Sequence, residues 1–221
     1  MGMRSLIVDG PASLGARTRA RRWDLLAELF QDLESYRVLD LGGTAGSWLR
    51  APVRPAAVTL LNLYGSELTV GQEGEALPDW LDIVEGDACD PPAAIRETDF
   101  DLVFSNSLIE HVGGPTRRHM LARFVREAAP RYWIQTPYRY FPVEPHWIFP
   151  GFQFLPLPAR ATLSRTWPLM HTRSRGWEDS VSAALQVELI GLTELKYLFP
   201  DATLHKEWFG GLIKSVIAVR R

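Results

Sequence analysis

Short apolar runs that alternate with helical stretches decide what this chain can fold into. Five runs read as strands: "YRVLDL" (36–41), "AVTLLNL" (57–63), "LDIVEGD" (81–87), "FDLVFSNS" (100–107) and "RYWIQTP" (131–137). Several are almost continuously apolar, as strands covered on both faces of a parallel sheet are. "RARRWDLLAELFQDLES" (19–35) sets Trp23, Leu26, Leu29, Phe30 and Leu33 at helical spacing. "PTRRHMLARFVREAAP" is a second helix, opened by Pro115 and closed by Pro130. Strands that alternate with helices build a doubly wound α/β sheet. Beyond residue 137, "WEDSVSAALQVELI" and "TELKYLFP" read as helices, and "ATLHKEWFGG" with "IKSVIAVRR" as a closing hairpin. That hairpin predicts an antiparallel strand at the far edge of the sheet. No composition shift or repeat divides the chain, so a single domain over 1–221 is expected, with an insertion at about 138–176.

The bulk numbers exclude more than they select. With 221 residues, 46% hydrophobic and 23% charged, the chain can bury a core of ordinary size. A formal net charge of −2 gives no electrostatic case for a nucleic-acid partner or an anionic membrane. One cysteine, Cys89, rules out an internal disulfide framework and suits a reducing, cytoplasmic setting. The opening residues lack a basic start followed by an apolar run, so no signal peptide is expected, and no apolar run has the length of a membrane span.

In an open α/β sheet, ligands bind beyond the carboxyl ends of the strands. The first strand ends in "LDLGGTAGSW", with Asp40, Gly42, Gly43, Thr44 and Gly46. The second ends at Asn62 and Leu63, the third in "EGDAC" with Asp87 and Ala88, and the fourth in "SNSLIEHV" with Asn106, Ser107, Glu110 and His111. A nicotinamide dinucleotide site would show G-x-G-x-x-G, which glycines at 42, 43 and 46 do not match. A short-chain dehydrogenase would need Tyr-x-x-x-Lys, and none of the six tyrosines has a lysine four residues on. Asp40 puts an anion before the glycine turn, which suits a cationic ligand better than a diphosphate.

Together these segments resemble the class I S-adenosylmethionine-dependent methyltransferases. The resemblance rests on "VLDLGGTAG", "LLNL", "EGDAC", "FDLVFSNSLIEHV" and the final strand pair, and covers nearly the whole chain. It implies a Rossmann-like seven-stranded sheet with the last strand antiparallel, and S-adenosylmethionine as cofactor with S-adenosylhomocysteine as product. It places the methionine moiety at Asp40, Gly42, Gly43 and Gly46, and the ribose at Asn62 and Leu63. The adenine falls to Asp87 and Ala88, and the reacting region to Asn106 and Ser107. Two positions depart from the family pattern. Thr44 stands where a glycine is usual, and Asn62 where an acid is usual. Only one end of an amide accepts a hydrogen bond, so somewhat weaker cofactor binding is expected.

The most unusual stretch is "TPYRYFPVEPHWIFPGFQFLPLP" (136–158), with six prolines and seven aromatic residues among 23. Proline excludes an ordinary helix and a central strand there, and the stretch is too apolar for a disordered linker. It begins where the fifth strand ends and is expected to overhang the methyl donor as a lid. Tyr64, Tyr138, Arg139, Tyr140, Trp147 and Phe152 are the candidate acceptor contacts. The aromatics could equally be lid core or a homodimer contact. Histidine titrates near neutrality, so His146 is the candidate general base, Glu144 its partner, and His111 its rival. His171, His119 and His205 rank lower. Arg17, Arg19, Arg21 and Arg22 read as a solvated helix end, or as a gate over the cofactor. No Asp/His cluster has ligand spacing, so no metal site is expected, with Glu110 beside His111 the nearest approach to one.

The stretch also resembles mycobacterial sugar O-methyltransferases of methylmannose polysaccharide synthesis, which implies a sugar or oligosaccharide hydroxyl as acceptor. A natural-product, quinone or lipid-like acceptor is the alternative, and a cofactor-binding protein without catalysis a third reading. A sugar site needs polar groups among its aromatics, such as Tyr64, Arg139, Glu144, His146 and Gln153, whereas a quinone site would be dry.

Overall fold

A computed structural model describes residues 14–65, 77–169 and 176–221, with side chains from residue 20 onward. The opening segment and His171 lie outside the described residues.

The five strand readings hold. They are β1 (Arg37–Leu41), β2 (Ala57–Asn62), β3 (Leu81–Glu85), β4 (Leu102–Asn106) and β5 (Arg131–Pro137). Helices α1 (Leu14–Leu29), α2 (Ala45–Leu49), α3 (Ala93–Arg96) and α4 (Gly114–Ala128) fall between or before them. After β5 comes a small hairpin, β6 (Val143–Glu144) and β7 (Phe149–Pro150), then α5 (Leu157–Thr166), α6 (Trp177–Leu185) and α7 (Leu192–Leu198). The chain ends in β8 (Thr203–Phe209) and β9 (Leu212–Arg220), joined through Gly210 and Gly211, both at positive φ.

The main sheet has seven strands in the order β3-β2-β1-β4-β5-β9-β8. β1 to β5 run parallel, and β9 is antiparallel to both β5 and β8. The antiparallel strand is therefore not at the far edge, as the sequence suggested. β9 slots inside and β8 takes the edge. Burial explains the choice: Val216 to Val219 of β9 are buried, whereas β8 has no fully buried residue. The more apolar strand takes the position with a neighbour on each side.

One core lies on each face of the sheet. The first joins Leu39, Leu41, Val103 and Ile134 to α4 through Leu121 and Val125, and to α7 through Leu195 and Leu198. The second packs Leu26, Phe30 and Leu33 on Val38, Leu60, Phe104 and Trp133. Arg22 on α1 forks onto Glu207 of β8, with both partners mostly buried. That arginine therefore docks the first helix onto the edge strand and does not gate the cofactor side.

Candidate active site

The glycine turn after β1 is built around Asp40. This carboxylate is 2% exposed; its Oδ2 accepts from Trp48 Nε1 at 2.7 Å, and its Oδ1 is buried without a partner. Burial pushes its pKa up to about 7, and the Trp48 bond pulls part of the way back. Gly42 turns at φ +77 and Gly43 passes so close that a Cβ there would stand 1.8 Å from Asp40 Oδ2. Gly43→Ala must displace a buried carboxylate. It should cost about 1–3 kcal/mol of stability in urea unfolding and weaken S-adenosylhomocysteine binding; an unchanged midpoint and affinity would refute the crowding. Thr44 has extended backbone (φ −120) and caps α2 by accepting from Ser47 N. The turn needs no third glycine at that point.

Asn62 is 3% exposed and donates Nδ2 to the Gly43 carbonyl at 3.0 Å, leaving Oδ1 buried without a partner. A carboxylate could not donate that bond. The amide therefore ties β2 to the glycine turn and still offers one acceptor. The orphaned acceptors on Asp40 and Asn62 sit at the ends of adjacent strands, and buried acceptors require donors. A methionine ammonium and ribose hydroxyls are such donors, so these residues fit S-adenosylmethionine. Leu63 and Tyr64 follow on the open rim, 59% and 75% exposed.

Asp87 takes both its oxygens to Arg117 Nη2 at 2.7 Å, and Oδ1 also accepts from Cys89 N. Burial raises its pKa, but the Arg117 and Cys89 bonds together hold it below the usual range. Ala88 beside it is buried. Arg117 carries no sequence signal, since its helix lies thirty residues on. At the end of β4, Asn106 Oδ1 accepts from Trp133 Nε1, and Ser107 turns at φ +57, held by Gln135 through its backbone N and its hydroxyl. A non-glycine residue in the left-handed region is characteristic of functional sites.

The rivals His111 and His146 touch. His146 stands in the tight loop of the β6–β7 hairpin, whose return is made by Ile148 at φ +52. Glu144, 1% exposed, shapes that loop: Oε2 accepts from the backbone N of His146 and Trp147, and Oε1 lies 2.6 Å from His146 Nδ1. His146 Nε2 is 3.2 Å from His111 Nε2, and His111 Nδ1 is 3.1 Å from the Gln186 carbonyl. Burial first, and the His146 ring second, push the His111 imidazole down to about 4. Its outer edge is open to solvent, so water tempers the size of that push but not its direction. Beneath them Glu110, 1% exposed, accepts from Thr136 Oγ1 at 2.9 Å, and its Oε1 is buried without a partner. Burial drives its pKa up.

The remaining candidates separate. Trp147 and Phe152 stack at 4.3 Å and form a small core with Val187 and Leu189. They are 5% and 1% exposed, so they brace the hairpin and offer no wall to an acceptor. The cause is apolar area: two large rings gain more against each other than against water. Tyr138 and Tyr140 meet edge-on at 5.6 Å on the outer side, and Arg139 N donates to the Ile190 carbonyl. Gln153 Nε2 donates to the carbonyls of Arg139 and Phe141, and its Oε1 is buried without a partner. His119 is exposed on α4, and His205 lies on the edge strand. A cleft of about 730 Å³ opens beside His111, lined by Trp177, Glu178, Val181, Ser182, Leu185 and Gln186 of α6 and its end. No sequence signal pointed to it. Among the described residues no helix is long and apolar enough to cross a membrane.

Residues 39–131 match a family model described as a methyltransferase domain. A search of curated proteins finds no match. Solved structures share the fold at low identity. An O-methyltransferase family protein from Burkholderia thailandensis is 12% identical with a TM-score of 0.50, over 97% of this chain and 62% of that one. The chain thus spans less than two thirds of that structure. A DhpI–SAH complex is 16% identical with a TM-score of 0.58, over 99% and 92% of the two chains. Magnesium protoporphyrin IX methyltransferase (ChlM) from Synechocystis PCC 6803, with bound SAH, is 15% identical with a TM-score of 0.55, over 99% and 92%. The strand order with its inserted antiparallel strand is that of the class I S-adenosylmethionine-dependent methyltransferase fold, and residues 39–131 within it match the methyltransferase domain model.

Proposed function

We propose that this methyltransferase places the methyl group of S-adenosylmethionine on a hydroxyl of a small acceptor, with a sugar or oligosaccharide as the first class to test. The cofactor supplies a methyl group made electrophilic by its sulfonium. Asp40 and Asn62 would hold the methionine and ribose ends through their orphaned acceptors, and Asp87 with Ala88 the adenine. Asn106 ends β4 and Ser107 follows it, a few residues before His111 in the chain. The observation that carries the reading is the array Glu144–His146–His111 beyond β4 and β5. A neutral hydroxyl is a poor nucleophile and gains from a group that removes its proton. A carboxylate or an amine that is already unprotonated would have little use for such an array.

Support for a sugar comes from the walls of the cleft beside His111. Trp177 offers an aromatic face, and Glu178, Ser182 and Gln186 offer hydrogen bonds between the apolar patches. A quinone or lipid-like acceptor would be served by a drier wall. Mixing the protein with S-adenosylmethionine and either simple mannosides or a quinol, and reading methylated product by mass, tests the choice. The expected result is an O-methylated sugar. Methylated quinol alone would move the acceptor class, and no product from either, together with no S-adenosylhomocysteine binding in calorimetry, would remove the reading altogether.

A further inference from the structure

We propose that Glu110, His111 and His146 form a binding site for one divalent first-row transition-metal ion. The inference deepens the proposed function and rests on it only for what the ion does, not for whether it binds.

The ring nitrogens carry the argument. The Gln186 carbonyl can only accept, so His111 Nδ1 must donate to it. The buried carboxylate of Glu144 lies 2.6 Å from His146 Nδ1, which donates in turn. Two neutral imidazoles so committed each present a lone pair at Nε2, and those two atoms are 3.2 Å apart. Facing lone pairs repel unless a cation or a shared proton lies between them. Two nitrogens each about 2.1 Å from one ion and about 100° apart would lie about 3.2 Å from each other. A proton shared between them would prefer a collinear N–H···N arrangement. The ring centroids are only 4.8 Å apart for nitrogens 3.2 Å apart, closer than two rings joined by a straight N–H···N line would stand, so the contact is bent.

A second, independent observation points to the same place. Glu110 Oε1 is buried and without a partner, and the ligand atoms of Glu110, His111 and His146 all lie within 4.8 Å of one another. A buried carboxylate oxygen left without a donor is costly unless a cation meets it. Thr136 fixes the other oxygen of Glu110. The surroundings also have the form that metal sites take. A ligating histidine almost always gives its other N–H to a carboxylate or a backbone carbonyl, and here Glu144 serves one ring and Gln186 the other. Two imidazoles and one carboxylate favour zinc, iron, cobalt or nickel over magnesium or calcium. The open side of His111 faces the cleft, which leaves coordination positions for water or for an acceptor hydroxyl.

An ion there lowers the pKa of a bound hydroxyl. The O–H bond then breaks, its proton passing to water. The new O–CH₃ bond forms as the C–S bond of the sulfonium breaks and its electron pair returns to sulfur.

The test uses the full chain after exhaustive chelation, with Zn²⁺ as probe in calorimetry and Co²⁺ as probe in visible absorption. One ion per chain is expected, with a Co²⁺ spectrum of low coordination number. His111→Ala and His146→Ala should each weaken Zn²⁺ binding by at least about 100-fold, and Glu144→Gln by about 10–100-fold, because Glu144 orients the His146 ring through Nδ1. His119→Ala, on the exposed face of α4, should leave it unchanged. Glu110→Gln keeps shape and packing, so a tenfold or greater loss there cannot be blamed on unfolding. Absence of stoichiometric binding, or binding equally strong in the Glu110→Gln and His111→Ala proteins, overturns the site. Methyl transfer that survives with no bound ion overturns the ion's part in the chemistry and leaves the proposed function standing. Stoichiometric Co²⁺ with no methyl transfer to any acceptor strikes the proposed function instead.

Discussion

Replacing His146 with alanine should lower kcat by at least about 100-fold while S-adenosylhomocysteine affinity barely moves. Asp40, Asn62 and Asp87, the groups assigned to that ligand, do not touch the hairpin that carries His146. His111→Ala should cost about as much as His146→Ala, because their Nε2 atoms are 3.2 Å apart and under the proposed function both would serve one hydroxyl. Groups that act as a unit are strongly non-additive, so the double variant should be no worse than the poorer single by more than a few-fold. Steady-state kinetics on the three proteins, with calorimetric titration of S-adenosylhomocysteine as control, measures this. Multiplicative losses would mean that the histidines act on different steps. Full turnover in His146→Ala would take the hairpin out of catalysis.

Asp40 should make the ligand-free protein less stable as the pH rises from about 4 to about 7. Its pKa stands at about 7 when folded, against 3.8 for an unperturbed aspartate. Over that window the folded state keeps a proton that the unfolded state has lost. Stability from this group is complete below the unfolded pKa, falls through the window and is flat above it, a swing of up to about 4 kcal/mol. His111 and His205, whose pKa values burial lowers, tilt the curve the other way in this window. The readout is therefore a difference. Asp40→Asn keeps an acceptor for Trp48 but cannot ionise, so its urea stability relative to the parent protein should be better at pH 8 than at pH 5. A constant difference would show that Asp40 is ionised throughout. A cationic ligand beside Oδ1 favours the charged carboxylate. S-adenosylhomocysteine binding near pH 6 should therefore release part of a proton, seen as a binding heat that changes with the ionisation heat of the buffer.

Much of the fold was legible because its signals are local. Apolar runs mark β1 to β5, and prolines bracket α4, since strand burial and helix capping act within a few residues. The glycine turn and Asp40 were legible for the same reason: backbone geometry near a ligand is written in adjacent residues. Thr44 and Asn62 looked like departures from a pattern. Their reasons, a helix cap and a strap to the Gly43 carbonyl, needed the third dimension.

Sequence alone determined that parallel strands would present Asp40, Asn62, Asp87 and Asn106 at one edge of a sheet. It did so because each strand's period and end are set by its own residues. Tertiary structure alone decided that β9 would enter between β5 and β8, that Arg117 would hold Asp87, and that Trp147 and Phe152 would become core. It also joined His111 to His146 across 35 residues and to Gln186 across 75. No local rule encodes such meetings. They follow from how the hairpin, the β4 loop and the segment after α6 pack, and that is settled by the summed burial of distant apolar groups.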